Sequence, residues 1–140
     1  MKVLLDTNIV LDLLMGREPF AEAAEKLFAA IENSEIAGYL CGTTVTTIHY
    51  LMTKEIGARR SKKEVEKLLK LFEIAPVTRS VLESALALGL ADYEDAVIHE
   101  AAVHAGADVL VTRNQKDFRG AKVRLHTADE LVKILALRHP

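Results

Sequence analysis

Lys2-Val3-Leu4-Leu5-Asp6-Thr7-Asn8 is an apolar run that halts on a carboxylate. Val3, Leu4 and Leu5 have no polar residue between them, so a strand built from them is apolar on both faces, the pattern of a strand inside a parallel sheet. Such a strand delivers Asp6 to the carboxyl edge of the sheet. Open α/β folds place their ligands there, because the loops leaving the strands diverge and leave a crevice. A carboxylate in that crevice needs a counter-charge or a ligand, which the rest of the chain has to bring.

Outward from this strand the pattern alternates between helix and strand. Ile9, Val10, Leu13 and Leu14 space a short helix ending near Gly16, and Pro19 is expected to open a second through Phe20, Ala24, Leu27, Phe28 and Ile31. Tyr39–Cys41 reads as a second strand, followed by a helix capped at Thr43 or Thr44 and closed by Gly57. Ser61 with Glu64, Ser80 with Glu83, and Thr127 with Glu130 have capping-box spacing and predict three helix starts. Ile74–Val77, interrupted by Pro76, predicts a short third strand. A helix from Asp92 to about Ala105 leads into Asp108-Val109-Leu110-Val111-Thr112, which repeats the character of the opening strand, and Val123–Leu125 is a last strand. Strands separated by helices require crossover connections, hence a parallel sheet of about five strands with helices on both faces.

Composition fits one globular domain over residues 1–140: half the residues are hydrophobic, 27% are charged, and no linker, repeat or low-complexity segment divides the chain. The net charge of −2, with both signs mixed along the chain, gives no global field for nucleic acid and leaves only local basic patches. The lone Cys41 excludes an internal disulfide and reads as a small buried hydrophobe of a reducing compartment. Met1 runs straight into the first strand and no apolar run has the length of a membrane span, so a cytoplasmic protein without a membrane partner is expected.

Three further acids can meet Asp6 at the carboxyl edge. Asp117 follows the second central strand through Arg113, Asn114, Gln115 and Lys116; Asp92 and Asp95 open the helix that leads into that strand, spaced to share a face, with Glu94 expected to point elsewhere. Each alone has a structural explanation, Asp92 as a helix cap, Asp95 in a first turn, Asp117 in a turn. Together they repel one another unless a hard cation is held among oxygen ligands and water, which suits Mg²⁺ or Mn²⁺. Asn8 and Asn114 would supply neutral groups that orient ligands or bound water. No GxSxG elbow or glycine-rich phosphate loop is present, and His99 and His104 are one residue too far apart for a zinc-protease motif.

These residues carry a resemblance. Leu4-Leu5-Asp6-Thr7-Asn8, then Glu94-Asp95-Ala96-Val97 entering an alanine-rich helix, then Val111-Thr112-Arg113-Asn114-Gln115-Lys116-Asp117-Phe118, resemble the PIN domain, in particular its small bacterial and archaeal branch that includes VapC-type ribonuclease toxins. The resemblance implies an acidic pocket that binds one or two divalent metals and cuts RNA, with Asp6, Asp95 and Asp117 at the family's acidic positions; Asp92, or Glu94 in its place, is a candidate for a further metal ligand from its place at the same helix start. It also implies an antitoxin protein partner and a homodimer. Asn114 stands where many relatives carry an additional acid. Relatives also carry a glutamate in the helix after the second strand; here Thr43–Tyr50 holds no acid, and His49 falls near that position.

The chemistry so implied is metal-assisted hydrolysis of a phosphodiester, with no protein nucleophile. His49 and His99 are candidates for assisting at the metal, His99 because it lies four residues beyond Asp95 on a helix. Arg17, Arg113 and Lys116 are candidates for RNA phosphate contacts, with Arg119 and the basic segment Arg59–Lys63 as further cations. Two other readings compete: a PIN-like domain that binds RNA or protein without cutting, favoured by the missing glutamate, and a phospho-acceptor receiver domain, disfavoured because Thr7 and Asn8 stand where adjacent acids are expected.

Overall fold

The computed structural model describes residues 1–138. Its elements are β1 (Lys2–Leu5), α1 (Thr7–Leu14), α2 (Ala21–Glu32), β2 (Ala37–Cys41), α3 (Gly42–Ile56), α4 (Ala58–Leu71), β3 (Glu73–Ala75), α5 (Arg79–Leu88), α6 (Tyr93–His104), β4 (Val109–Val111), a short 3-10 helix (Gln115–Phe118), β5 (Arg124–His126) and α7 (Ala128–Arg138). The five strands form one parallel sheet in the order β3-β2-β1-β4-β5. This is the α/β sheet with helices on both faces that the alternation predicts. Among the described residues, no helix is long and apolar enough to cross a membrane.

β1 is central and fully enclosed, with Val3, Leu4 and Leu5 each 0% exposed. Alternation then divides the core. Val3 and Leu5 join α1, α2, α3, α4 and α7 on one face, and Leu4 joins α5 and α6 on the other. Val109 and Val111 follow Val3 and Leu5, while Leu110 follows Leu4, so β4 repeats the division across the register Leu4↔Leu110. Helix α6 is buried from Ala96 to Ala102 without a break, which is why its small residues carry no polar stripe.

Helix starts separate true caps from matching letters. Thr127 and Glu130 form the expected box: the Thr127 N–H donates to Glu130 Oε1 at 2.8 Å and the Glu130 N–H to Thr127 Oγ1 at 3.1 Å. Ser61 does not cap. α4 begins at Ala58, directly after Gly57, and buried Ser61 donates its hydroxyl to the His49 carbonyl at 3.1 Å, tying α4 to α3. α5 is capped by Thr78, whose Oγ1 accepts from the Val81 N–H at 3.2 Å, and Ser80 lies inside the helix. Pro19 precedes α2, which starts at Ala21, and β3 stops at Ala75 before Pro76.

Gly38 sits in β2 because two helix-side groups press on it. A Cβ there would lie 2.7 Å from Ile31 Cδ1 and 2.8 Å from the ring of Phe72. Gly38→Ala is expected to destabilise the fold by about 1–3 kcal/mol, the usual cost of overpacking. Denaturant unfolding of the two proteins measures it; equal midpoints would show that Phe72 yields freely.

Candidate active site

The chain steps outward from β1 through β2 to β3, then returns to β4 and β5 on the other side, so the connections diverge between β1 and β4. Ligand clefts of open parallel sheets form at such a switch, outside the carboxyl ends. Here a cleft of about 230 Å³ opens at that place, lined by Asp6, Thr7 and Asn8 at the start of α1, by Asp92, Glu94 and Asp95 at the start of α6, by Asn114 beyond β4, and by Thr47 and Leu51 of α3.

Asp6 forms the floor and is 5% exposed. Its Oδ1 accepts the Thr7 N–H at 2.8 Å, making it the N-cap of α1, and its Oδ2 accepts the Thr112 hydroxyl at 2.8 Å. The Asp6 N–H donates to the Val111 carbonyl at 2.9 Å, so the ends of β1 and β4 are joined through this one residue. Thr7 is held in turn by Thr44 of α3, hydroxyl to hydroxyl at 2.9 Å. Burial pushes the Asp6 carboxyl above its ordinary range; the hydrogen bonds from Thr112 and Thr7 and the charge of Arg113 pull it back.

The first turn of α6 supplies the other wall. Asp92 caps the helix, accepting the Asp95 N–H at 3.2 Å. Asp95 carries the clearest electrostatic signature: burial first, then the charges of Asp92, Asp6, Asp117 and Glu94, push its pKa up to about 6. Glu94 does not point elsewhere. It lines the cleft beside Asp92 and Asp95 and accepts from the Thr47 hydroxyl at 3.4 Å, while Tyr93 of the same turn donates its hydroxyl to the Leu82 carbonyl at 2.9 Å.

Asp117 stands apart from Asp6 and Asp95. It lies in the short 3-10 helix, exposed, and borders a neighbouring groove; its charge reaches Asp6 and Asp95, but it does not line their cleft. Among the described residues, no three His, Cys, Asp or Glu side chains stand close enough to ligate one ion directly. The donors of the cleft are nonetheless carboxylate, amide and hydroxyl oxygens, the set a hard divalent cation takes when it keeps several of its own waters.

Neither histidine reaches the cleft. His49 is exposed on α3, and Thr47 is the residue of the Thr43–Tyr50 stretch that faces the carboxylates. His99 is 0% exposed in the core, where Nε2 accepts the Lys122 N–H at 3.0 Å and Nδ1 donates to Glu100 at 2.8 Å. These bonds tie α6 to the segment before β5, and the wall position next to His99 in sequence is taken by Ile98.

Asp12 was silent in the sequence. It is 1% exposed on α1, with Arg113 Nε 3.3 Å from Oδ2 and Arg17 Nη1 3.8 Å from Oδ1. Arg17 Nη1 also donates to Asn8 Oδ1 at 3.4 Å, and the Arg113 guanidinium lies 4.1 Å over the Phe20 ring. Two of the cations expected to meet phosphate are thus anchored beside the cleft by a buried acid. The only local signal was an acid inside an apolar helix; its partner Arg113 is distant in sequence.

The raised pKa of Asp95 has a consequence for stability. Between the ordinary 3.8 and about 6 the folded protein holds a proton that the unfolded chain releases, so metal-free stability falls as pH rises through that window. With screening of this half-exposed group, the loss from pH 5 to pH 7 relative to Asp95→Asn is expected on the order of 1 kcal/mol. Thermal melts in EDTA at both pH values test it; a constant difference between the two proteins contradicts the carboxylate crowding.

A family model for the PIN domain matches residues 2–116. No curated protein matched the sequence. Among solved structures, VapBC-1 from nontypeable Haemophilus influenzae is similar at 20% identity and a TM-score of 0.71, covering 92% of this chain and 99% of its own. A toxin–antitoxin complex from Klebsiella pneumoniae is 26% identical with a TM-score of 0.68, covering 90% and 97%. VapC20 of Mycobacterium tuberculosis, a sarcin-ricin-loop-cleaving toxin, is 14% identical with a TM-score of 0.62, covering 77% and 86%. The family match spans most of the chain, includes Asp6 and Asp95, and agrees with the acidic cleft at the end of β1: the chain belongs to the PIN-domain family.

Proposed function

We propose that the chain is a divalent-metal-dependent endoribonuclease that hydrolyses RNA phosphodiester bonds, and the toxin of a toxin–antitoxin pair. The observation that carries the reading is the pair Asp6 and Asp95 in one cleft at the switch point, both carboxyls pushed up chiefly by burial and, for Asp95, next by the surrounding acids. The toxin assignment and an antitoxin partner are supported by the likeness to toxin–antitoxin structures, and a homodimer belongs to the same proposal.

Asp6 and Asp95 would hold Mg²⁺ or Mn²⁺, with Asp92, Glu94 and Asp117 reaching it through water. Held there, such an ion would supply a coordinated water of lowered pKa and positive charge to offset that on the phosphate oxygens. Asp6 is pre-positioned by Thr7 and Thr112, so both oxygens are already oriented before any ion arrives. Asn8 and Asn114 present amides across the cleft. Arg17 and Arg113, fixed on Asp12, and Lys116 beside Asp117 supply cations to phosphates on either side. The second reading, a PIN domain that binds RNA without cutting, is favoured by one residue: Thr47 puts a hydroxyl, not a carboxylate, on the α3 wall.

Mixed single-stranded RNA incubated with Mn²⁺ should be cut and should survive in EDTA. Asp6→Asn and Asp95→Asn are expected to lower the rate at least about a hundredfold while staying folded, and Asp92→Ser, which keeps a cap, to cost less than about tenfold. Intact RNA with every metal would select the non-cutting reading. The wall position has its own test by calorimetric titration: Thr47→Glu should tighten Mg²⁺ binding about tenfold or more and His49→Glu should leave it unchanged, whereas the opposite ranking would move the wall to His49.

A further inference from the structure

Beside the acidic cleft runs a groove of about 360 Å³, lined on one side by Gly89, Leu90 and Ala91 and on the other by Lys116, Asp117 and Arg119. We infer that this groove is a track for the backbone of single-stranded RNA, in which Lys116 and Arg119 hold the phosphates next to the one being cut. The inference rests on the nuclease reading of the adjoining cleft.

Lys116 lies in the 3-10 helix Gln115–Phe118 and Arg119 is the residue that ends it. Side chains three apart eclipse in a 3-10 turn, so the two cations share a side, and Asp117, between them in sequence, also lines the groove. Both are exposed, and among the described residues neither makes an ion pair, hydrogen bond or ring contact. Arg17 and Arg113 differ, being held by Asp12. The opposite wall repels no anion. Gly89 closes α5 in the left-handed region at φ +76, and Leu90 and Ala91 follow it without charge. Two free cations facing an uncharged apolar wall suit a phosphate strand held without reading its sequence.

Continuity with the cleft selects the occupant. Asp117 borders the groove, and its charge acts on Asp6 and Asp95. Adjacent residues are about 3.8 Å apart along the chain, so a phosphate on Lys116 or Arg119 lies roughly one or two nucleotides from Asp117. Groove and cleft adjoin on both walls, since Ala91 of the groove precedes Asp92 of the cleft and Lys116 follows Asn114 of the cleft by two residues, so a strand leaving the groove leads toward the acids.

The test is fluorescence anisotropy in EDTA, where nothing is cut, with a labelled single-stranded RNA of about twelve nucleotides, within the usual size of such sites. Lys116→Gln/Arg119→Gln should weaken binding about tenfold or more at low salt, and should reduce the slope of log K against log salt by about 1.4, near 0.7 for each phosphate no longer neutralised. The charge-retaining Lys116→Arg/Arg119→Lys should bind as the wild type does. Thermal melts confirm folding, and if the double variant fails to fold each single variant should reduce the slope by about 0.7. Unchanged affinity and slope in the neutral variant, weaker binding by the charge-retaining one, no RNA binding by the wild type, or polyglutamate competing as well as RNA would each overturn the track. RNA held through the two cations but never cut with Mn²⁺ would reject the nuclease reading and leave the track standing.

Discussion

The structure turns on keeping a carboxylate buried at the end of its central strand. Leaving Asp6 ionised and unpaired there would be costly, and the fold meets that cost with two hydrogen bonds, one from the adjacent Thr7 N–H and one from the hydroxyl of Thr112, 106 residues away in sequence. Those same bonds start α1 and lock the carboxyl end of β4 to that of β1. Fold and site are one arrangement: the seam between β1 and β4 is where the crossovers diverge, and the residue that stitches it is the one facing the cleft.

Charge is partitioned around that seam. Asp12 takes Arg17 and Arg113, which do not line the cleft, although Arg17 reaches Asn8 at its rim and Arg113 lowers the Asp6 pKa from its distance. The cleft carboxylates are left facing one another, and Asp95 responds by holding its proton to about pH 6. Carboxylates kept together with their arginines tied elsewhere are the arrangement on which the proposed cation site rests. Lys116 and Arg119, outside the cleft and unpaired among the described residues, add a basic margin beside it.

What could be read from residues alone follows the range of the forces involved. The buried strands were legible because three consecutive apolar residues state burial on both faces without help from anything distant, and Thr127 with Glu130 because a capping box is complete within four residues. Ser61 had the same letters as a cap and failed, since Gly57 had already ended α3 and the serine was needed by the His49 carbonyl across the helix pair. Glu94 joins Asp92 and Asp95 because the cleft takes a broader arc of the first turn of α6 than the single face that a spacing of three defines, with Tyr93 turned to Leu82 instead. His49 and His99 looked usable from their spacing to other residues, but one is on the outside of α3 and the other is spent on Lys122 and Glu100. Asp12 was out of reach because its meaning depends on Arg113, brought to it only by the pairing of β1 with β4.

The central proposal is that the cleft at the end of β1 receives a divalent cation on Asp6. Crystals soaked in Mn²⁺ and measured near the manganese absorption edge address it without reference to any RNA. The predicted result is an anomalous peak in the cleft within bonding distance of an Asp6 carboxylate oxygen, with Asp95 ligating directly or through one water. An empty cleft at saturating Mn²⁺, or a peak bound only by residues outside it, would contradict the proposal.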